Sequence, residues 1–127
     1  RNMIYKFYDT CSLLLKVDNL WEDNVIMVLS SITLEELENI KTSVNKDPDV
    51  KFAARKIAHE LDEHFQDDSY RVIIWNNSMM DDLMEANLPV TNDSKIIICA
   101  DAYMNLIEPE DEFYFYTNDI CCRLLAH

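Results

Sequence analysis

Residues 24–41 read NVIMVLSSITLEELENIK, and the change of rhythm within them decides the fold. The first part, 24–29, is a nearly unbroken apolar run rich in branched side chains, as expected of a strand covered on both faces. The second part switches period: Leu34, Leu37 and Ile40 recur at three- and four-residue spacing, predicting a helix over 33–41 with Thr33 as N-cap and Glu36 at the third helical position. Three other runs repeat the strand pattern, at 3–8 (MIYKFY), 71–75 (RVIIW) and 112–116 (EFYFY). Helical stripes lie between them. Phe52, Ala53, Ile57, Leu61 and Phe65 share a face over 49–65, with Pro48 as the start signal, and Ile96, Ile97, Ala100, Tyr103 and Met104 share one over 92–106. A short helix is expected around 79–85 before Pro89, loops at 44–49 and around it, and a last helix opening at 120–126. Strands alternating with helices predict an α/β domain with a parallel sheet of at least four strands and right-handed crossovers.

The chain has 127 residues, and at roughly 100–200 residues per domain it is read as one domain over 1–127. With 49% apolar residues, a core sufficient for folding needs no metal or disulfide staple. Glycine is absent, which excludes every phosphate-binding loop built on glycine backbone. The formal charge of −13 is the wrong sign for a broad phosphate-binding surface, so acids that converge on a cation become the sharper expectation. Four cysteines, Cys11, Cys99, Cys121 and Cys122, include no CxxC pair; neither a zinc knuckle nor a secreted disulfide framework fits, and a reducing, cytoplasmic setting is expected. No apolar span reaches the ~20 residues a membrane crossing needs, so no membrane association is expected. The opening Arg1, with Met3 close behind, reads as a domain excised from a longer protein.

In open α/β sheets, ligands bind beyond the carboxyl ends of the strands, so acids there carry most weight. Asp9 follows the first strand at once, and Asp119 follows the fourth after Thr117 and Asn118. Glu36 sits in the helix after the second strand and Asp93 in the first turn of the next long helix, so all four can face one rim. Helix-start acids also answer the macrodipole, which alone accounts for many such positions. Clustered carboxylates repel one another unless a cation neutralises them, and all-oxygen ligands suit Mg²⁺ or Mn²⁺. Asp101 is eight residues beyond Asp93, about 12 Å along a helix, too far to share an ion with it.

The blocks YDTCSLLL, SSITLEELENIK, NDSKIIICADAY and FYFYTNDICCRLLA resemble, in order and spacing, the successive motifs of PIN domain nucleases, nearest to those beside PhoH-type ATPases and in RNA decay. The resemblance spans nearly the whole chain. It implies a Rossmann-like three-layer α/β/α sandwich whose acidic pocket binds Mg²⁺ or Mn²⁺ and cuts single-stranded RNA. By position, Asp9, Glu36, Asp93 and Asp119 match the four acids, with Glu35 the rival to Glu36, and Thr117, Thr10 and Ser12 match supporting hydroxyls. The metal would activate water, with Asp9, Asp93 and Asp119 as main ligands and Glu36 holding a second cation or orienting the water. Homodimers also occur among such domains. Two departures stand out: the chain ends where the family usually continues with a strand, and its charge is unusually acidic. Lys41, Lys46, Lys51, Arg55 and Lys56 form a basic cluster that reads either as a solvated face or as a guide for RNA, a task a fused or partner ATPase domain would otherwise perform. The competing expectation is a PIN-like interaction or regulatory module with weak or no cleavage.

Overall fold

The computed structural model describes residues 2–118, and the four expected strands form one all-parallel sheet in the order β3-β2-β1-β4. They are β1 (Ile4–Tyr8), β2 (Val25–Ser30), β3 (Tyr70–Ile73) and β4 (Glu112–Tyr116). Helices α1 (Thr10–Leu15), α2 (Ser31–Thr42), α3 (Pro48–Glu63), α4 (Ser78–Glu85) and α5 (Asn92–Met104) connect them, with a 3-10 turn at Val17–Asn19. The helix expected at 120–126 lies outside the described residues. The short α1 has no counterpart in the sequence reading, because six residues give too little length for a helical period to declare itself.

The sheet's two faces carry separate apolar clusters. Tyr5, Phe7, Ile26 and Val28 pack with Leu83 of α4 and Ile96 and Cys99 of α5, whereas Tyr8, Met27 and Leu29 pack with Leu13, Leu37 and Ile57 from α1, α2 and α3. Successive strand residues point to opposite faces, so the near-continuous apolar runs of β1 and β2 feed both clusters, and the result is the expected three-layer α/β/α sandwich. Strand β4 differs: Phe113 and Phe115 turn inward while Tyr114 and Tyr116 are exposed. Its register sets Phe115 beside Phe7 and Tyr116 beside Tyr8, whose rings stack with centroids 4.9 Å apart.

Three details of the helices depart from expectation. The N-cap of α2 is Ser30, whose Oγ accepts from Thr33 N–H at 3.1 Å, so the helix begins earlier and Thr33 lies inside it. On α3 the buried side chains are Ala53, Ala54, Ile57 and Leu61, while Phe52 and Phe65 are 60% and 73% exposed. At 100° per residue Phe52 falls roughly 150° from the centre of that stripe, and Phe65 lies past the helix end at Glu63. On α5, Ile97 and Met104 are exposed, whereas Ile98 and Cys99 are buried, because this helix meets β2, α2 and α4 and is covered on more than one side.

With no glycine available, left-handed backbone falls to Asn24, Asp68 and Asn87, the residue types best suited to it. Asn87 closes α4 in a Schellman arrangement: its N–H donates to Met84 O, and Leu88 N–H donates to Leu83 O. Cys99 is a free thiol pushed up to about 11 by burial. Cys11 is disulfide-bonded, a pairing that the sequence reading does not anticipate, because spacing along a chain does not reveal which thiols the fold brings together.

Ile57→Ala should lower unfolding free energy by about 2–5 kcal/mol, while Phe52→Ala should cost below about 0.5 kcal/mol, as read by urea denaturation. Near the start of the sheet, Glu22 accepts from Lys6 Nζ at 2.7 Å and pairs with Lys16 at 3.1 Å; the Lys6 hydrogen bond leads in holding its carboxyl below the ordinary value. A lowered folded-state value stabilises the fold above the unfolded value of 4.5 and loses that stabilisation as pH falls through the folded one. Glu22→Gln should therefore cost about 1 kcal/mol at pH 7, with the gap to wild type closing in strongly acidic buffer when denaturation is repeated there.

Candidate active site

From β1 the chain steps outward through β2 to β3, then returns across the sheet to place β4 on β1's other side. That reversal opens a crevice at the carboxyl ends of β1 and β4, the place where doubly wound sheets receive ligands. Asp9 stands there, at the end of β1 and 5% exposed. Its carboxylate caps α1, with Oδ1 accepting from Ser12 N–H at 2.8 Å, and Oδ2 accepts from Asn118 N–H, two residues past β4, at 3.1 Å. Its own N–H donates to Tyr116 O at 3.0 Å. The helix-cap role is thus real, but one oxygen also ties the ends of two strands together.

Glu36 joins this edge through Thr10, the next residue after Asp9. Thr10 Oγ1 donates a short hydrogen bond to Glu36 Oε1, and Asn92 Nδ2 donates to Oε2 at 3.4 Å. Helix phase sets the two glutamates in different surroundings. Glu36 follows Thr33 by three residues and shares its face, whereas Glu35 is exposed. Asp93 is exposed in the first turn of α5, next to Asn92, and Thr91 rather than an acid caps that helix. Asp119, with Thr117 leading to it, is the one acid that lies outside the described residues.

Asp9, Glu36 and the start of α5 are therefore brought to one edge. Among the described residues, however, no three His, Cys, Asp or Glu side chains form a group able to hold an ion. Their chemistry is nonetheless that of a hard-cation site, since every candidate donor is a carboxylate oxygen. Asn92, Asn118 and Ser30 are not among the residues the sequence reading singles out, and Thr33 is read there only as a helix cap. Thr33 carries a usable signal, because a hydroxyl three residues before an acid on one helix shares its face; the others carry none, since Ser30 reaches Glu36 only through Thr33 and Thr10 and each asparagine acts through a partner remote in sequence.

Of the basic cluster, Lys41 and Arg55 line a groove of about 910 Å³ between α2, α3 and β3, and none of the described candidate acids, Asp9, Glu36 and Asp93, lines it. Lys41 pairs with Glu38 at 3.0 Å and Lys56 with Asp18 at 3.3 Å. No helix among the described residues is long and apolar enough to cross a membrane.

No curated protein matches the sequence. A family does: the PIN domain matches residues 7–127, from within β1 to the end of the chain. PIN domains are generally metal-dependent nucleases that use divalent cations. The match begins two residues before Asp9 and takes in every candidate acid, and the parallel four-stranded sheet between helical layers is consistent with the family's α/β sandwich. On both sequence and fold, the chain belongs to the PIN domain family.

Proposed function

We propose that the chain is a divalent-metal-dependent endoribonuclease that hydrolyses phosphodiester bonds in single-stranded RNA. The observation that carries this reading is Asp9: a buried carboxylate at the reversal point of the sheet, oriented by two backbone N–H donors, with Glu36 one hydrogen-bonded neighbour away. A carboxylate withdrawn from water is costly, and a purely structural cap needs only one of its oxygens and no burial.

Asp9, Asp93 and Asp119 are the proposed ligands for Mg²⁺ or Mn²⁺, with Glu36 as the fourth acid. A cation bound there would supply an activated water and neutralise charge developing on the phosphate. The chain's own part is orientation. Ser12 and Asn118 fix the Asp9 carboxylate, and Thr10 and Asn92 hold the two oxygens of Glu36 in a defined plane beside it. Glu36 would then accept a proton from the attacking water. The −13 charge opposes approach of a polyanion, so the RNA is guided by Lys46, Lys51 and Arg55 or by a fused or partner ATPase domain.

A second reading has a specific observation behind it. Because no three described acids converge, the rim could instead meet a basic protein partner, with cleavage weak or lost. Cleavage of a labelled single-stranded RNA with Mn²⁺, Mg²⁺ or EDTA separates the two. The nuclease reading expects metal-dependent cutting, a fall of roughly 10²–10⁴-fold in Asp9→Asn and Glu36→Gln, and little change in Glu35→Gln. Wild-type protein that fails to cut, and whose Mn²⁺ binding is unaffected by Asp9→Asn, would leave only the interaction module.

A further inference from the structure

Behind Glu36 runs a line of buried hydroxyls of which the proposed mechanism uses only the first, Thr10. Thr10 Oγ1 lies 3.0 Å from Thr33 Oγ1, and Thr33 Oγ1 lies 3.5 Å from Ser30 Oγ. Ser30 and Thr33 are fully buried and Thr10 is 3% exposed. Each hydroxyl has a single hydrogen, which settles the direction of the line. An ionised Glu36 only accepts, so the Thr10 hydrogen goes to its Oε1. The Thr10–Thr33 contact must then use the hydrogen of Thr33, and the Thr33–Ser30 contact that of Ser30. Ser30 can spare it, because as the helix cap its oxygen is an acceptor, taking Thr33 N–H at 3.1 Å.

We infer that Thr33 is a positioning residue for Glu36: the buried hydroxyls of Ser30, Thr33 and Thr10 form a one-way relay of hydrogen bonds whose last hydrogen holds the Glu36 carboxylate in its working orientation. Each donor in such a line polarises the next, so the bond that reaches the carboxylate is stronger than an isolated hydroxyl would make. The relay also joins the strand end that carries Asp9 to the helix that carries Glu36, since Thr10 belongs to α1 and Thr33 to α2. Valine at position 33 would keep the shape but remove the hydrogen, leaving the Thr10 hydroxyl free to turn away from Glu36.

This inference rests on the nuclease reading, and the experiment distinguishes the two. Wild type, Thr33→Val, Thr33→Ser, Glu36→Gln and the double variant Thr33→Val with Glu36→Gln are compared in steady-state cleavage of single-stranded RNA with Mn²⁺. Isothermal titration of Mn²⁺ and thermal unfolding accompany the kinetics. Thr33→Val should lower kcat about tenfold with KM for RNA changed less than about twofold, and Thr33→Ser should restore most of the rate. In the double variant the Thr33→Val loss should vanish, because the relay acts only through the Glu36 carboxylate. Should Thr33→Val fail to fold, Thr10→Val interrupts the same line and carries the same expectation. Equal loss from Thr33→Val with and without Glu36, or full activity in Thr33→Val, overturns the relay while leaving the nuclease intact. Wild type that neither cuts RNA nor binds Mn²⁺ overturns the nuclease reading and the relay with it.

Discussion

Removing a carboxylate from water costs several kcal/mol unless donors replace the lost hydration, and Asp9 meets that demand with two backbone N–H groups from opposite directions. Ser12 N–H points at it only because α1 starts at Thr10, and Asn118 N–H reaches it only because β4 runs in register with β1. Helix start, strand pairing and acid are therefore mutually dependent. The same seam is closed by the Tyr8–Tyr116 stack, and Phe7 packs edge-on against Phe115 on the opposite face. The apolar contacts hold β1 and β4 together so that the charged one can exist between them.

Five of the described cations are paired with acids other than the candidate ones. Lys6 and Lys16 are committed to Glu22, Arg71 to Asp68, Lys41 to Glu38 and Lys56 to Asp18. Within the described residues, Asp9 and Glu36 accept hydrogen bonds from a hydroxyl, a carboxamide and backbone amides.

Much of this arrangement is legible in the sequence because strands β1 and β2 are buried on both faces and announce themselves as apolar runs, and because an acid after such a run has few structural reasons to be there. Legibility fails where the cause is tertiary. Phe52 and Phe65 fit a helical stripe by type but not by phase or helix length, and β4 alternates because only one of its faces meets a core in the described structure. The cap of α2 was displaced by three residues because serine and threonine are equivalent candidates in SSIT, and only the end of β2 decides between them. Within the candidate site, Asp9 and Glu36 follow from position, while Asn92 and Asn118 are visible only once elements far apart in sequence are side by side.

The bond between Asp9 and Asn118 spans 109 residues, and it implies an order of events during folding. Strands β1, β2 and β3 and the helices between them can pair as soon as they exist, since each neighbour follows its predecessor in the chain. Strand β4 must close a loop that encompasses nearly everything before it, and long-range parallel pairing of that kind is slow. Until it docks, β1 presents an open edge and Asp9 lacks one of its donors. The arrival of β4 thus covers the open edge of β1 and brings the Asn118 N–H to Asp9 in one step, so the two backbone donors of that carboxylate meet only once β1 and β4 have paired.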